Sequence, residues 1–324
     1  MNTQMKKVPL GVWGYLQSKG LSKSTIKCYY TEILEFITWC DMQNIEAEQS
    51  TTTEVTAYLS HLQNKGQHNK TRNINLNILK HYFNYQIEND NRIDNPASHI
   101  KIRGVKTKQL HAIFTKEELE SLYKNYTIPS EEDSRHNKNW FTNYKLSKQR
   151  NKAILSLMIY QGLATDEINR LTLQDVRLKD GTVFISGTRK SNERLLELKP
   201  HQIMALMEYQ LATRTTFLKL QPKASEAYFL QLPSVSNKSV NDALKTDNCI
   251  NVWKRLTTDI KAQNKKFTGF TQVRASVITH WLKQYNLRQV QYMAGHRFIS
   301  STESYLANQV EELQNDIDSY HPIG

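Results

Sequence analysis

The sequence predicts a mainly helical α+β protein, in which a helical N-terminal domain is followed by a larger, mostly helical domain carrying a small antiparallel β-sheet or hairpin. Three observations predict it. Apolar residues recur at three and four positions through most of the 324 residues. Capping residues and glycine or proline stops divide that pattern into helices of ordinary length. Short extended runs marked by a turn signal gather around residues 175–198.

The elements follow in order. Ser22 is placed to cap a helix whose Ile26, Tyr30, Ile33 and Ile37 form one apolar stripe. Thr51 and Glu54 have capping-box spacing ahead of Val55, Leu59 and Leu62, and Gly66 is placed to end that helix. A third helix runs from about Lys70 to Glu88 through Ile74, Leu79, Tyr82 and Phe83. It stops before Asn95-Pro96, because proline disfavours α conformation in the residue before it. These helices make a first domain over residues 1–96. Residues 97–112 are basic and lack a helical stripe, and they read as an interdomain linker.

The second domain spans residues 113–324. Thr115 and Glu118 repeat the capping-box spacing ahead of Leu119, Leu122 and Tyr123. Residues 127–148 are polar and irregular and read as an exposed loop. A strong helix then covers about 149–161 and ends near Gly162, and a short helix covers Ile168 and Leu171. Asp180-Gly181 precedes two extended runs, 182–186 and 194–198, which predict the small sheet. The rest reads as helical.

Composition narrows the function. Lysine and arginine number 43 against 31 acidic residues, a net charge of +12 that favours a polyanionic partner such as nucleic acid. Charge alone does not separate DNA from RNA. Cys28, Cys40 and Cys249 are far apart with no CxxC pair, which argues against a disulfide framework or a zinc site and suits a reducing cytosol. The N-terminus lacks an apolar leader, and no run approaches the roughly 18 apolar residues of a membrane span, so a soluble, cytoplasmic protein is expected.

The most informative segment is 268–305. Arg274 falls near the start of one helix, Gly295-His296 ends the next, and Tyr305 follows His296 by nine residues. A tyrosine near a C-terminal helix is ordinarily a half-buried aromatic; here three polar residue types agree in order and spacing. They resemble the tyrosine recombinases of the phage integrase family. The resemblance covers most of the chain. LSKSTIKCYYTEILEFITWC is similar to the opening helix of the family's SAM-like DNA-binding domain, and FTKEELESL to the start of its catalytic domain. YQGLATDEINRLTLQDVRLKDGTVFISGTRKSNERLLEL is similar to the helix, strands and hairpin that carry the family's first arginine and its lysine.

The resemblance implies a DNA-binding N-terminal domain and a catalytic domain that exchanges strands through a 3′-phosphotyrosyl intermediate on Tyr305. Arg274 and His296 would hold the phosphate, and Lys190 would protonate the leaving 5′ oxygen, with the adjacent Arg189 open as the alternative. A phenol has an ordinary pKa of about 10, so its attack needs its proton removed and the phosphorane charge neutralised. The covalent bond conserves the energy of the phosphodiester, so the resemblance implies no metal and no nucleotide cofactor. The implied partner is double-stranded DNA bound by a homotetramer, alone or with a partner recombinase. A C-terminal helix through Val310, Leu313, Ile317 and Tyr320 would either pack on its own domain or, as the resemblance implies, dock on the neighbouring protomer. Lys23, Lys27, Lys70, Arg72, Lys80, Arg103 and Lys106 are candidate DNA contacts, although such residues read equally well as a solvated face.

Two positions depart from the family pattern. Ala164 stands where the family has the arginine of a Gly-Leu-Arg-x-x-Glu phrase, and Thr271 stands three residues before Arg274, where the family has histidine. Losing one donor to a developing oxyanion costs roughly 3–4 kcal/mol. Three readings therefore stay open: a recombinase with a rearranged phosphate clamp, for which Arg170 is one stand-in, or one that needs a partner recombinase; a non-catalytic relative that binds recombination sites as an accessory or regulator; and a helical scaffold with no nucleic-acid role.

Overall fold

The computed structural model of the chain describes residues 8–9, 11–105, 112–130, 132–220, 224–231 and 250–306. The chain divides into two units, Met1–Gln109 and Leu110–Gly324.

The first unit is helical. Helix α1 (Gly11–Ser18) precedes α2 (Lys23–Met42), which starts where Ser22 Oγ accepts from the Thr25 amide at 3.3 Å. A short 3₁₀ turn, Ala47–Gln49, leads to α3 (Thr52–Asn64), whose first turn is fixed by the Thr51 amide donating to Glu54 at 2.5 Å. Helix α4 (Asn69–Glu88) completes the unit. The expected stripes converge on an aromatic centre. The Phe36 ring lies 5.0 Å from Tyr58, edge-on, and 6.0 Å from Phe83. Ile74 is the exception among the expected α4 core residues: it is exposed, at the edge of an arc that buries Asn75, Leu76, Ile78 and Leu79. Part of the expected linker also packs here. Ala97 is buried in the core, and Ile100 and Ile102 lie against it, so the apolar residues of that basic stretch extend the first unit to at least residue 102.

The second unit is built around α6, which runs from Phe141 to Tyr160. It begins eight residues before the expected start at 149, because Phe141 and Ser147 are buried and turn a polar stretch into the helix's first turns. Helix α5 (Lys116–Lys124) keeps its expected capping box, with Thr115 Oγ1 accepting from the Glu118 amide at 3.1 Å and the Thr115 amide donating to Glu118 at 2.7 Å. Helix α7 (Thr165–Arg170) follows Gly162, where φ is +59°.

Strands β1 (Val176–Arg177), β2 (Thr182–Ile185) and β3 (Arg194–Glu197) form an antiparallel sheet in that order, with Val183 opposite Leu196 and Ile185 opposite Arg194. Helices α8 (Pro200–Glu208) and α9 (Arg214–Lys219) are joined by a π-helical turn over Tyr209–Thr213. After them come α10 (Ile250–Gln263), α11 (Phe270–Leu282), α12 (Leu287–Ala294) and α13 (Ile299–Glu303). No described helix is long and apolar enough to cross a membrane. Cys249, Lys106 and the expected C-terminal helix through Val310, Leu313, Ile317 and Tyr320 lie outside the described residues.

Candidate active site

Arg274 sits in the second turn of α11, a helix anchored on its buried side by polar contacts. Buried Gln272 donates to the Ala112 carbonyl at 2.7 Å, and the Phe114 amide donates to Ser276 Oγ at 2.9 Å. The His280 ring is bonded to the Phe114 carbonyl at 2.8 Å. With the helix so fixed, the Arg274 guanidinium donates to the carbonyls of Gly162 and Ala294, the latter at 2.6 Å, and to Glu167 Oε2 at 3.0 Å. Its side chain is 15% exposed.

Helix α12 ends at Gly295, whose φ of +69° is the left-handed conformation of a glycine C-cap. A second constraint acts on this glycine. A Cβ there would collide with the Arg194 guanidinium and crowd the Asn192 carbonyl. The chain then turns back to present His296, which bonds Thr302 Oγ1 through Nδ1 at 2.9 Å. The Tyr305 ring stacks on His296 with centroids 5.7 Å apart and planes 9° from parallel. Tyr305 also packs against the small cluster of Ile278, Val290 and Ala294. Burial, joined by the charges of Arg274 and Arg194, pushes the His296 imidazole down to about 4. The ring is therefore neutral at pH 7.

Arg194, read from the sequence only as the start of a strand, is the residue the motif missed. Its side chain is fully buried and forks onto Glu167, with Nη1 to Oε1 at 2.8 Å and Nη2 to Oε2 at 3.0 Å. Glu167 also accepts from the Ala164 amide at 2.8 Å. Burial raises the Glu167 carboxyl, but the bonds from Arg194 and the charges of both arginines outweigh it and hold it below the usual carboxylate range. The signal for Arg194 was period-two alternation. Leu196 and Leu198 face inward, so Arg194 must too, while Leu195 faces out.

The other expected site residues fall in different places. Lys190 is exposed in the loop between β2 and β3. That loop is tied to the His296 turn: the Asn192 amide donates to the Gly295 carbonyl at 3.0 Å, and Arg297 donates to the Arg189 carbonyl at 2.8 Å. Arg170 does not join the arginine pair. It is paired with Asp166 at 3.2 Å and donates to the Ser186 carbonyl at 3.2 Å. Thr271 is exposed in the first turn of α11.

In the N-terminal unit Lys23, Lys27, Lys70 and Arg103 are exposed. Arg72 instead donates to the Leu59 carbonyl at 3.0 Å and to Asn69 at 3.1 Å, and Lys80 reaches the Ile100 carbonyl at 3.5 Å. Among the described residues no cluster of three histidine, cysteine, aspartate or glutamate side chains is placed to hold a metal ion.

Comparison with known proteins identifies the family and the fold. Residues 114–312 match the phage integrase family, and residues 12–92 match the phage integrase N-terminal SAM-like domain. The tyrosine recombinase XerC of Thermodesulfovibrio yellowstonii is 25% identical over 315 residues, covering 94% of this chain and 92% of the relative. The tyrosine recombinase XerD of Halalkalibacterium halodurans is 26% identical over 309 residues, covering 94% and 93%. Among solved structures, the XerH site-specific recombinase bound to a palindromic difH substrate shares the fold with a TM-score of 0.63 at 17% identity, over 93% of this chain and 81% of that one. A lambda integrase dimer bound to a COC′ core site does so with a TM-score of 0.57 at 16% identity, over 94% and 79%.

Proposed function

The chain belongs to the phage integrase family, and we infer from that premise that it is a site-specific DNA recombinase, cutting and rejoining strands through Tyr305. The observation that carries the reading is the stack of Tyr305 on a neutral His296 beside Arg274. Double-stranded DNA is its partner, in keeping with the +12 net charge.

In the forward step the Tyr305 oxygen attacks the scissile phosphorus while its proton passes to a base, the role we assign to His296. A P–O bond to Tyr305 forms and the bond to the 5′ oxygen breaks, that oxygen taking a proton from Lys190. Attack by a 5′ hydroxyl of another strand then reverses the step and releases Tyr305. Arg274 presents a permanently charged guanidinium to the non-bridging oxygens. Thr271 adds little, being exposed at the helix start. On DNA the active form is a homotetramer, and a partner recombinase can take part.

Suicide substrates built from DNA flanking the chain's own gene test this reading. A covalent protein–DNA complex on a denaturing gel, lost in Tyr305→Phe, is the expected result. Salt-sensitive binding without any adduct would instead make the chain a DNA-binding relative that has lost cleavage.

A further inference from the structure

Three charges near His296 form a set layered by exposure. Arg194 lies at the bottom with a side chain wholly shielded from solvent, Glu167 above it is 5% exposed, and Arg274 at the top is 15% exposed. Arg194 gives both Nη groups to Glu167, and among the described residues its Nε has no partner. Each hydrogen bond that its guanidinium makes therefore ends on that one carboxylate. Arg274 is the guanidinium with exposure to meet a phosphate oxygen. Yet it shares Glu167 Oε2 at 3.0 Å, and an isolated Arg274–Glu167 pair would have no net charge to offer. With Arg194 included, the trio carries a formal +1. Position 164 adds nothing to that sum, being alanine, and Arg170 is engaged with Asp166 and Ser186.

We propose that Arg194 is a positioning residue for strand cleavage: by occupying Glu167 from below, it leaves the charge of Arg274 available to the scissile phosphate. The proposal rests on the recombinase reading and names how that site makes up its positive charge. Two features of the fold serve it. The inward face of β3 delivers the guanidinium to Glu167, and the absence of a side chain at Gly295 gives it room.

The test measures single-turnover cleavage by the wild type, Arg194→Gln and the double variant Glu167→Gln/Arg194→Gln on two suicide substrates of one sequence. The first has an ordinary scissile phosphodiester, and the second a methylphosphonate there, whose reacting group carries no negative charge. Arg194→Gln is expected to slow the phosphodiester by about 10²-fold, as for loss of one preorganised donor, and the methylphosphonate by less than about 10-fold. The double variant, which restores the formal +1, is expected within about 10-fold of the wild type on the phosphodiester. Equal losses on both substrates by a folded Arg194→Gln protein, or a double variant that remains as slow as the single, would overturn the proposal and leave Arg194 a structural pin. Should Arg194→Gln fail to fold, the double variant decides alone. Near-native cleavage supports the proposal, and a loss of about 10²-fold on the phosphodiester contradicts it. A wild type that forms no adduct on the phosphodiester would instead sink the recombinase reading, with Arg194 falling alongside it.

Discussion

The floor and the rim of the site use their cations in opposite ways. On the floor, Arg194 and Arg274 are committed to Glu167 and to backbone carbonyls, out of reach of bulk water or nearly so. At the rim, Lys190 stands exposed on a loop that is fastened to the His296 turn by a backbone hydrogen bond and by one from the Arg297 side chain. A buried charge is tolerable only when paired, so the floor links the fold's stability to the clamp's geometry. An exposed lysine is bound by no such condition and is left to meet the substrate. Single substitutions that unbalance the floor's charges should therefore damage stability and cleavage together, and those at the rim cleavage alone.

The contrast can be broken most sharply at Glu167. Glu167→Ala leaves Arg194 buried with no counter-charge, and urea unfolding should show a loss of about 3–5 kcal/mol. A loss below about 0.5 kcal/mol would mean that water enters and the floor is not a closed ion set. Next comes Lys190→Ala, expected to leave the urea midpoint unchanged while slowing cleavage by roughly 10²–10⁴-fold as the leaving oxygen loses its acid. If Arg189→Ala produces that loss and Lys190→Ala does not, the general acid is the neighbouring residue.

His296 gives a smaller effect with a defined sign. Its folded value of about 4 lies below an ordinary imidazole near 6.5, so above that pH the neutral ring is present in both states and its contribution is complete. As the pH falls from about 6.5 the unfolded chain takes up the proton first, and stability declines through about 4. Unfolding measured across that window should therefore fall less steeply in His296→Asn. Wild-type cleavage should show no step near pH 6.5, since the folded ring stays neutral there.

The weakest contrast lies in the N-terminal unit, between cations used by the fold and those left to solvent. Lys23→Gln or Lys27→Gln should each reduce the salt slope of DNA binding by about 1 without changing stability. Arg72→Ala, which removes the bond to the Leu59 carbonyl, should cost about 1 kcal/mol of stability and change the slope less.

What the sequence disclosed follows the same division. Helix starts at Ser22, Thr51 and Thr115 were legible because capping chemistry is local, and the order Arg274, Gly295-His296, Tyr305 was legible because its spacing agrees with the early turns of one helix and the glycine-capped end of the next. The missed features depend on distant contacts. The early start of α6 at Phe141 depends on burial of residues in a polar stretch, which local pattern does not reveal. Arg194 was passed over because a charged residue at a strand start reads as a surface residue until its partner, 27 positions away, is known. Position 164 remains without a cation, and the second guanidinium near Arg274, arriving from another element, is buried on Glu167.

The central claim, that Tyr305 is the nucleophile, is tested most directly by trapping the wild-type protein on a nicked suicide substrate, digesting the adduct and locating the nucleotide by mass spectrometry. The account predicts a single phosphodiester-linked peptide with the modification on Tyr305. A nucleotide on any other residue would contradict it, as would complete cleavage of the substrate with no peptide carrying a nucleotide.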